Sequence, residues 1–204
     1  MDSYTYVSRG GLKLSAALET FEINPTNKVC ADLGCSTGGF TDCLLKYGAT
    51  CVYAADTAYG QLAWKVRQDR RVVVLERTNV LHTNPGEALD DRNRPLIKTC
   101  DLVTVDLGWT RQTHAVPAAM RWLKTDPEAR IITLIKPHYE SSRLAFESGT
   151  PAGSLSEEDA RLIVQHIVKY LPSLGVEVLN TVCSPIVGTK GGNIEYFALL
   201  RRAT

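Results

Sequence analysis

The stretch Val29-Cys30-Ala31-Asp32-Leu33-Gly34-Cys35-Ser36-Thr37-Gly38-Gly39-Phe40 decides the fold. Its first half is a near-continuous apolar run, as in a strand buried on both faces. Its second half is a glycine-rich turn, where the missing Cβ atoms let backbone approach a ligand closely, and a helical pattern follows. The same alternation runs through the rest of the chain. Cys51 to Ala55, Val72 to Leu75, Leu102 to Leu107 and Ile131 to Ile135 are further buried-strand runs. Leu14, Ala17, Leu18 and Phe21 share a helical face ahead of the first strand. Ala160, Ile163, Val164, Ile167, Val168 and Leu171 form a stripe on a helix from Ser156 to Tyr170, which Ser156 and Asp159 open as a capping box. Val176 to Val182 and Ile194 to Leu200 are two strands with no helix between them, which suits an antiparallel pair at the sheet edge. The expected architecture is α/β: a Rossmann-like, doubly wound sheet of seven strands with the last one reversed, in one domain over residues 1–204. His138 to Leu155 reads as the one long irregular loop.

Composition narrows the function. Of 204 residues, 44% are hydrophobic and 22% charged, which fits a globular domain and excludes disorder and coiled coil. With 23 Lys and Arg against 22 Asp and Glu, the net charge of +1 excludes a protein that binds nucleic acid through bulk charge. The chain lacks an apolar run long enough to span a membrane and the apolar core of a signal peptide, so a cytoplasmic protein is expected. Six cysteines without a C-x-x-C pair, and four histidines far apart, point to buried thiols rather than disulfides or a metal site.

The glycine turn also narrows the ligand. A dinucleotide fingerprint needs G-x-G-x-x-G, whereas these glycines fall at Gly34, Gly38 and Gly39. Asp32 would repel a diphosphate but suits a cationic, amino-acid-bearing cofactor. Asp56 closes the second strand, where a carboxylate accepts two ribose hydroxyls. Together with the reversed last strand, these features favour S-adenosylmethionine over NAD. Asp32, Gly34, Cys35, Ser36, Thr37, Gly38, Gly39, Phe40, Asp56, Thr57, Thr78, Asn79 and Asp106 are the expected cofactor residues.

Asp106 and Lys136 end the fourth and fifth apolar runs, so both project at the carboxyl edge of the sheet, where open α/β folds bind ligands. An unpaired charge there is costly, and the two are expected to face one another. Lys13, in the first amphipathic helix, and Glu195, at the start of the last strand, each fit a solvated surface position when read alone.

Several stretches together resemble a known family. Val7-Ser8-Arg9-Gly10-Gly11-Leu12-Lys13-Leu14, Gly34 to Leu45, Tyr59-Gly60-Gln61-Leu62-Ala63-Trp64-Lys65, Glu76-Arg77-Thr78-Asn79, Ile135-Lys136-Pro137, Ser184-Pro185-Ile186 and Gly192-Asn193-Ile194-Glu195 are similar to the haemolysin A/TlyA family of FtsJ-like RNA ribose 2′-O-methyltransferases. The resemblance is collinear from about Tyr6 to Leu200. It implies a catalytic set of Lys13, Asp106, Lys136 and Glu195, S-adenosylmethionine as methyl donor, and RNA as acceptor, with ribosomal RNA or a ribosomal subunit expected. TlyA-type proteins usually carry an N-terminal S4 RNA-binding domain, and this sequence is expected to start directly at the methyltransferase module. It also departs from the family at Leu107-Gly108-Trp109 and Pro137-His138-Tyr139-Glu140, so the substrate-facing edge is expected to differ while the cofactor side is intact.

In this reading neutral Lys136 is the base for the ribose hydroxyl, Asp106 orients it, and Glu195 holds Lys13. Arg9, Gly11, Trp109 and Tyr139 are the expected substrate contacts, the two aromatics stacking a base at the site mouth. Lys65, Arg67, Arg70, Arg71 and Arg111 supply local basic patches. The fourth run ends in Asp106-Leu107-Gly108-Trp109 rather than Asp/Asn-Pro-Pro-aromatic, which argues against base-amine methylation. A non-catalytic RNA- or cofactor-binding module and a small-molecule O-methyltransferase are the alternatives.

Overall fold

A computed structural model describes residues 5–87, 99–141, 155–188 and 192–203. Seven strands are present among them: β1 (Val29–Leu33), β2 (Cys51–Ala55), β3 (Val72–Leu75), β4 (Leu102–Val105), β5 (Arg130–Ile135), β6 (Val176–Cys183) and β7 (Tyr196–Arg202). They form one sheet in the order β3-β2-β1-β4-β5-β7-β6. The first five run parallel, and β7 is antiparallel to both β5 and β6. The expected antiparallel pair is therefore at the sheet edge, but the reversed strand is inserted inside it and β6 is outermost. Exposure along β6 agrees, since only Val176 is buried, whereas all of β4 is buried.

Two layers of helix cover the sheet. On one side are α1 (Arg9–Thr20) and α2 (Gly39–Lys46), whose Leu14, Leu18, Phe40 and Leu44 pack with Phe197 and Cys30. On the other are α4 (Gln112–Trp122) and α5 (Glu157–Tyr170), whose Val116, Trp122, Ile163 and Ile167 pack with Ala31, Leu33 and Tyr53. A short α3 (Trp64–Arg67) precedes β3. Cys30 faces one layer while Ala31 and Leu33 face the other, so the period-two alternation of β1 serves two cores at once. Each buried leucine-sized side chain contributes roughly 1.5–3 kcal/mol.

The helix starting after Ser156 is capped as expected: Asp159 N donates to Ser156 Oγ at 3.0 Å. The Asp159 carboxylate accepts from the Ser156 hydroxyl rather than from its backbone N–H. Five strand ends differ from expectation, two of them by one residue: β5 starts at Arg130 and β6 runs on to Cys183, while β7 ends at Arg202. β4 stops at Val105, where its ladder with β1 ends at Leu33, and β7 starts at Tyr196, so Glu195 lies just before it. Of the expected long loop, residues 138–141 belong to a helical turn that starts at Pro137, and residues 142–154 lie outside the described ones. All six cysteines are free; Cys30, Cys35, Cys43 and Cys100 are buried as expected, but Cys183 is exposed. Burial pushes the Cys30 thiol up to about 12, which makes it unreactive. No described helix is long and apolar enough to cross a membrane.

Candidate active site at the carboxyl edge of the sheet

The glycine turn leaves β1 and doubles back over the end of β2. Gly34 N and Cys35 N both donate to Ala55 O, at 2.8 and 3.1 Å. Gly34 has φ +91°, and a Cβ there would lie 2.3 Å from the carbonyl oxygen of Asp106. Gly34→Ala is therefore expected to cost about 1–3 kcal/mol of stability and to weaken S-adenosylhomocysteine binding at least about ten-fold. Thermal melts and calorimetric titration check this, and unchanged binding would mean that the turn carries no ligand. Ser36 N donates to Asp56 Oδ2 and Ala58 N to Asp56 Oδ1, both at 2.8 Å. The Asp56 carboxylate is thus fixed by backbone at the end of β2.

Two cavities open beside this turn. The first, about 330 Å³, is lined by Gly34, Ser36, Asp56, Thr57, Thr78, Val80, Asp106, Leu107, Thr110 and Lys136 among others. The second, about 490 Å³, is lined by Ser8, Arg9, Gly10, Lys13, Cys35, Ser36, Thr37, Gly39, Phe40 and Asp106, again with Gly34. Gly34, Ser36 and Asp106 belong to both, so the cavities meet at those three residues.

Most expected cofactor residues line one cavity or the other, but Asp32, Gly38 and Asn79 line neither. Asp32 is fully buried, accepting a hydrogen bond from Thr41 Oγ1 at 2.6 Å and one from Thr104 Oγ1 at 3.4 Å. Gly38, with φ +91°, caps α2 against Leu62. The Asn79 side chain accepts from Leu81 N at 3.1 Å. Gly11, an expected substrate contact, instead lies under the Tyr6 ring, where a Cβ would sit 2.3 Å from Cγ. Val80, Leu107, Thr110, Ser8 and Gly10 were missed by the sequence reading. Val80, an apolar residue following Thr78-Asn79 just after β3, was the one with a readable signal.

Asp32 has a consequence of its own. Burial pushes its carboxyl up to about 7, from an ordinary value of 3.8, and the nearby Asp106 charge adds to the rise. A carboxyl raised on folding favours the protonated native state, so its contribution to stability is complete below about pH 3.8 and is lost as the pH rises to about 7. Asp32→Asn does not titrate. Its melting temperature relative to wild type is expected to rise between pH 5 and pH 8, and an equal difference at both pH values would contradict the assignment.

The four charged positions form two ion pairs. Lys136 Nζ contacts Asp106 Oδ1 directly, the arrangement that their strand-end positions demand. Lys13 Nζ donates to Glu195 Oε2 at 2.5 Å. Read alone, these two fit the surface; instead they are 7% and 4% exposed. Desolvation makes each charge depend on its partner. Asp106 is anchored by its own N–H, which donates to Leu33 O at 2.9 Å, and Glu195 by its carbonyl, which accepts from Ser184 N at 2.8 Å.

Beyond Lys136 lies an aromatic step. Trp109 is 80% exposed, which excludes a core role, and its ring stacks on Tyr139 with centroids 4.9 Å apart and planes 28° from parallel. Lys136 Nζ is 5.8 Å from the Tyr139 centroid. His138 packs on Tyr139 at 4.1 Å, and burial holds its imidazole below the ordinary value. Glu140 ties this segment to α4 by accepting from Gln112 N at 2.7 Å. Neither Trp109 nor Tyr139 lines the two cavities.

The chain as a whole is similar to known proteins. The FtsJ-like methyltransferase family profile matches residues 6–202. The Mycobacterium tuberculosis protein named 16S/23S rRNA (cytidine-2′-O)-methyltransferase TlyA is 40% identical over 200 residues, covering 98% of this chain and 69% of that protein. A solved Streptococcus thermophilus structure, designated a hemolysin, superposes with a TM-score of 0.84 at 31% identity, covering 97% of this chain and 67% of that one. A 1,6-didemethyltoxoflavin-N1-methyltransferase from Burkholderia thailandensis, solved with S-adenosylhomocysteine, shares the fold alone, with a TM-score of 0.62 at 14% identity over 96% of this chain and 79% of that one. A profile match running almost the whole length, joined to a relative this similar, settles the kinship: the chain belongs to the FtsJ-like methyltransferase family.

Proposed function

We propose that this chain transfers a methyl group from S-adenosylmethionine to a ribose 2′-hydroxyl of ribosomal RNA, free or in a subunit. The observation that carries the reading is the position of Asp106, which lines both cavities and pairs with Lys136 at their junction. A carboxylate shared by both cavities supports transfer between them.

The first cavity fits the donor. Its charged lining consists of Asp56, Asp106 and a single cation, Lys136, which Asp106 already holds. That balance suits a sulfonium amino acid better than a diphosphate. Asp56, fixed by two backbone donors, is placed to accept ribose hydroxyls, and Thr78 and Val80 would hold the adenine end. When bound, S-adenosylmethionine supplies an electrophilic methyl group.

The second cavity would take the amino-acid end of the donor along Cys35, Thr37, Gly39 and Phe40, and the acceptor ribose beside Arg9 and Lys13. Lys136 Nζ, once it has given its own proton to solvent, accepts the hydroxyl proton as the methyl group passes from sulfur to the ribose oxygen, and Asp106 orients that Nζ. Glu195 holds Lys13 in place, so the ammonium steers the ribose without wandering. Trp109, stacked on Tyr139, presents a free face for the target base. The relative's named action on rRNA cytidine riboses supports ribosomal RNA. The same reading takes the chain as one catalytic domain of the cytoplasm, acting without a metal.

The test is tritiated methyl transfer to ribosomal subunits, stripped rRNA, and a panel of phenols and carboxylic acids. Label in rRNA supports the proposal. Label only in small molecules makes the chain a small-molecule O-methyltransferase, and cofactor binding with no transfer makes it a binding module.

A further inference from the structure

Resting on the RNA reading above, we infer that the ridge formed by residues 57–70 with Arg77 is a docking track for a single-stranded stretch of RNA beside the target nucleotide. Tyr59 and Trp64 are 69% and 70% exposed. Two large aromatics left in water within one short segment mark a binding surface more than a packing accident. Their exposure is built in. Leu62 packs beneath Gly38, and Ala63 N donates to Thr37 O at 3.1 Å, so the segment is pinned to the glycine turn with Trp64 turned outward. Arg77, at φ +53°, lays its guanidinium over Tyr59 with Cζ 4.4 Å from the ring centroid.

The charge of the ridge is mainly positive, Asp69 being its one acid. Residues 57–68 contain no Asp or Glu, and Lys65, Arg70 and Arg77 are exposed. The acids in and beside the ridge are occupied, Asp69 by Arg71, Glu76 by Arg67 and by Gly60 N at 2.7 Å, and Asp56 by Ser36 N and Ala58 N. Exposed rings beside uncompensated cations match unpaired bases on a phosphate backbone, whereas a duplex keeps its bases stacked on one another. An apolar protein surface would leave those cations desolvated. The ridge is also continuous with the first cavity, since that cavity's Thr57 and Thr78 flank it on the two chain segments. With a net charge of only +1, a local track must supply what bulk charge does not.

The experiment measures binding of a fluorescent unstructured 12-nucleotide RNA by anisotropy at several salt concentrations, and of the same RNA as a duplex. Trp64→Ala and Tyr59→Ala are each expected to weaken single-strand binding about ten-fold, the loss of one stacked base. Trp64→Phe should recover most of it. Lys65→Glu with Arg70→Glu should reduce the salt slope by about 1.4, two contacts at about 0.7 each. S-adenosylhomocysteine affinity should not move in any variant, which excludes misfolding. Unchanged RNA affinity and salt slope, equal binding of the duplex, or loss of self-association in place of RNA binding would each overturn the track. A wild-type chain that binds RNA through this ridge yet methylates none leaves the track standing and removes the proposed reaction.

Discussion

Lys136→Ala is expected to lower methyl transfer by about 10²- to 10⁴-fold, the range that a positioned general base contributes. S-adenosylhomocysteine affinity should change only several-fold, because Lys136 is one of twelve residues lining that cavity. Alanine removes both the base and the partner of Asp106, so Lys136→Arg is the sharper variant. Arginine keeps the ion pair but remains charged at any working pH, and so cannot accept the hydroxyl proton. If Lys136 acts as the base, the arginine variant is as inactive as the alanine one. If it acts only through its charge, arginine restores much of the rate, and the proton must leave by another route. Single-turnover rates with saturating cofactor separate the two cases.

The second large effect concerns stability. Lys13→Met or Glu195→Leu alone should destabilise the protein by about 3–5 kcal/mol, because each leaves an uncompensated charge in a desolvated position. For a chain of this size that is a fall of about 10 °C in melting temperature. The double variant should melt close to wild type, since matched apolar side chains replace a buried pair at little net cost. It should nevertheless be inactive, because the ammonium on the wall of the second cavity is gone. A fall of under about 1 kcal/mol in the single variants would show the pair behaving like an exposed one. Activity in the double variant would take Lys13 out of the chemistry.

The fold was legible where one local signal sufficed. Continuous apolar runs located β1 to β5, and Ser156-x-x-Asp159 located the start of α5 within one residue. The insertion of β7 between β5 and β6 was not written in either strand's own pattern; it follows from which partner each edge finds. The site divided in the same way. Asp106 and Lys136 were readable because a charge at the end of a buried strand has few places to go. Lys13 and Glu195 look like surface residues locally, and are 182 positions apart. Only the fold, or kinship with a family, joins them. Asp32 shows the opposite failure. Its place before the glycine turn suggested a ligand contact, yet Thr41 from α2 and Thr104 from β4 enclose it inside the protein. Gly11 likewise is explained by Tyr6, a neighbour that no helical pattern predicts.

The central claim is that the junction at Asp106 methylates a ribose hydroxyl. Alkaline hydrolysis of rRNA methylated by the wild-type chain and by Lys136→Arg tests it most directly. The account predicts a single alkali-resistant dinucleotide carrying the label with wild type and none with the variant. Label released in mononucleotides would place the methyl group on a base, and an alkali-resistant product made equally well by Lys136→Arg would remove Lys136 as the base.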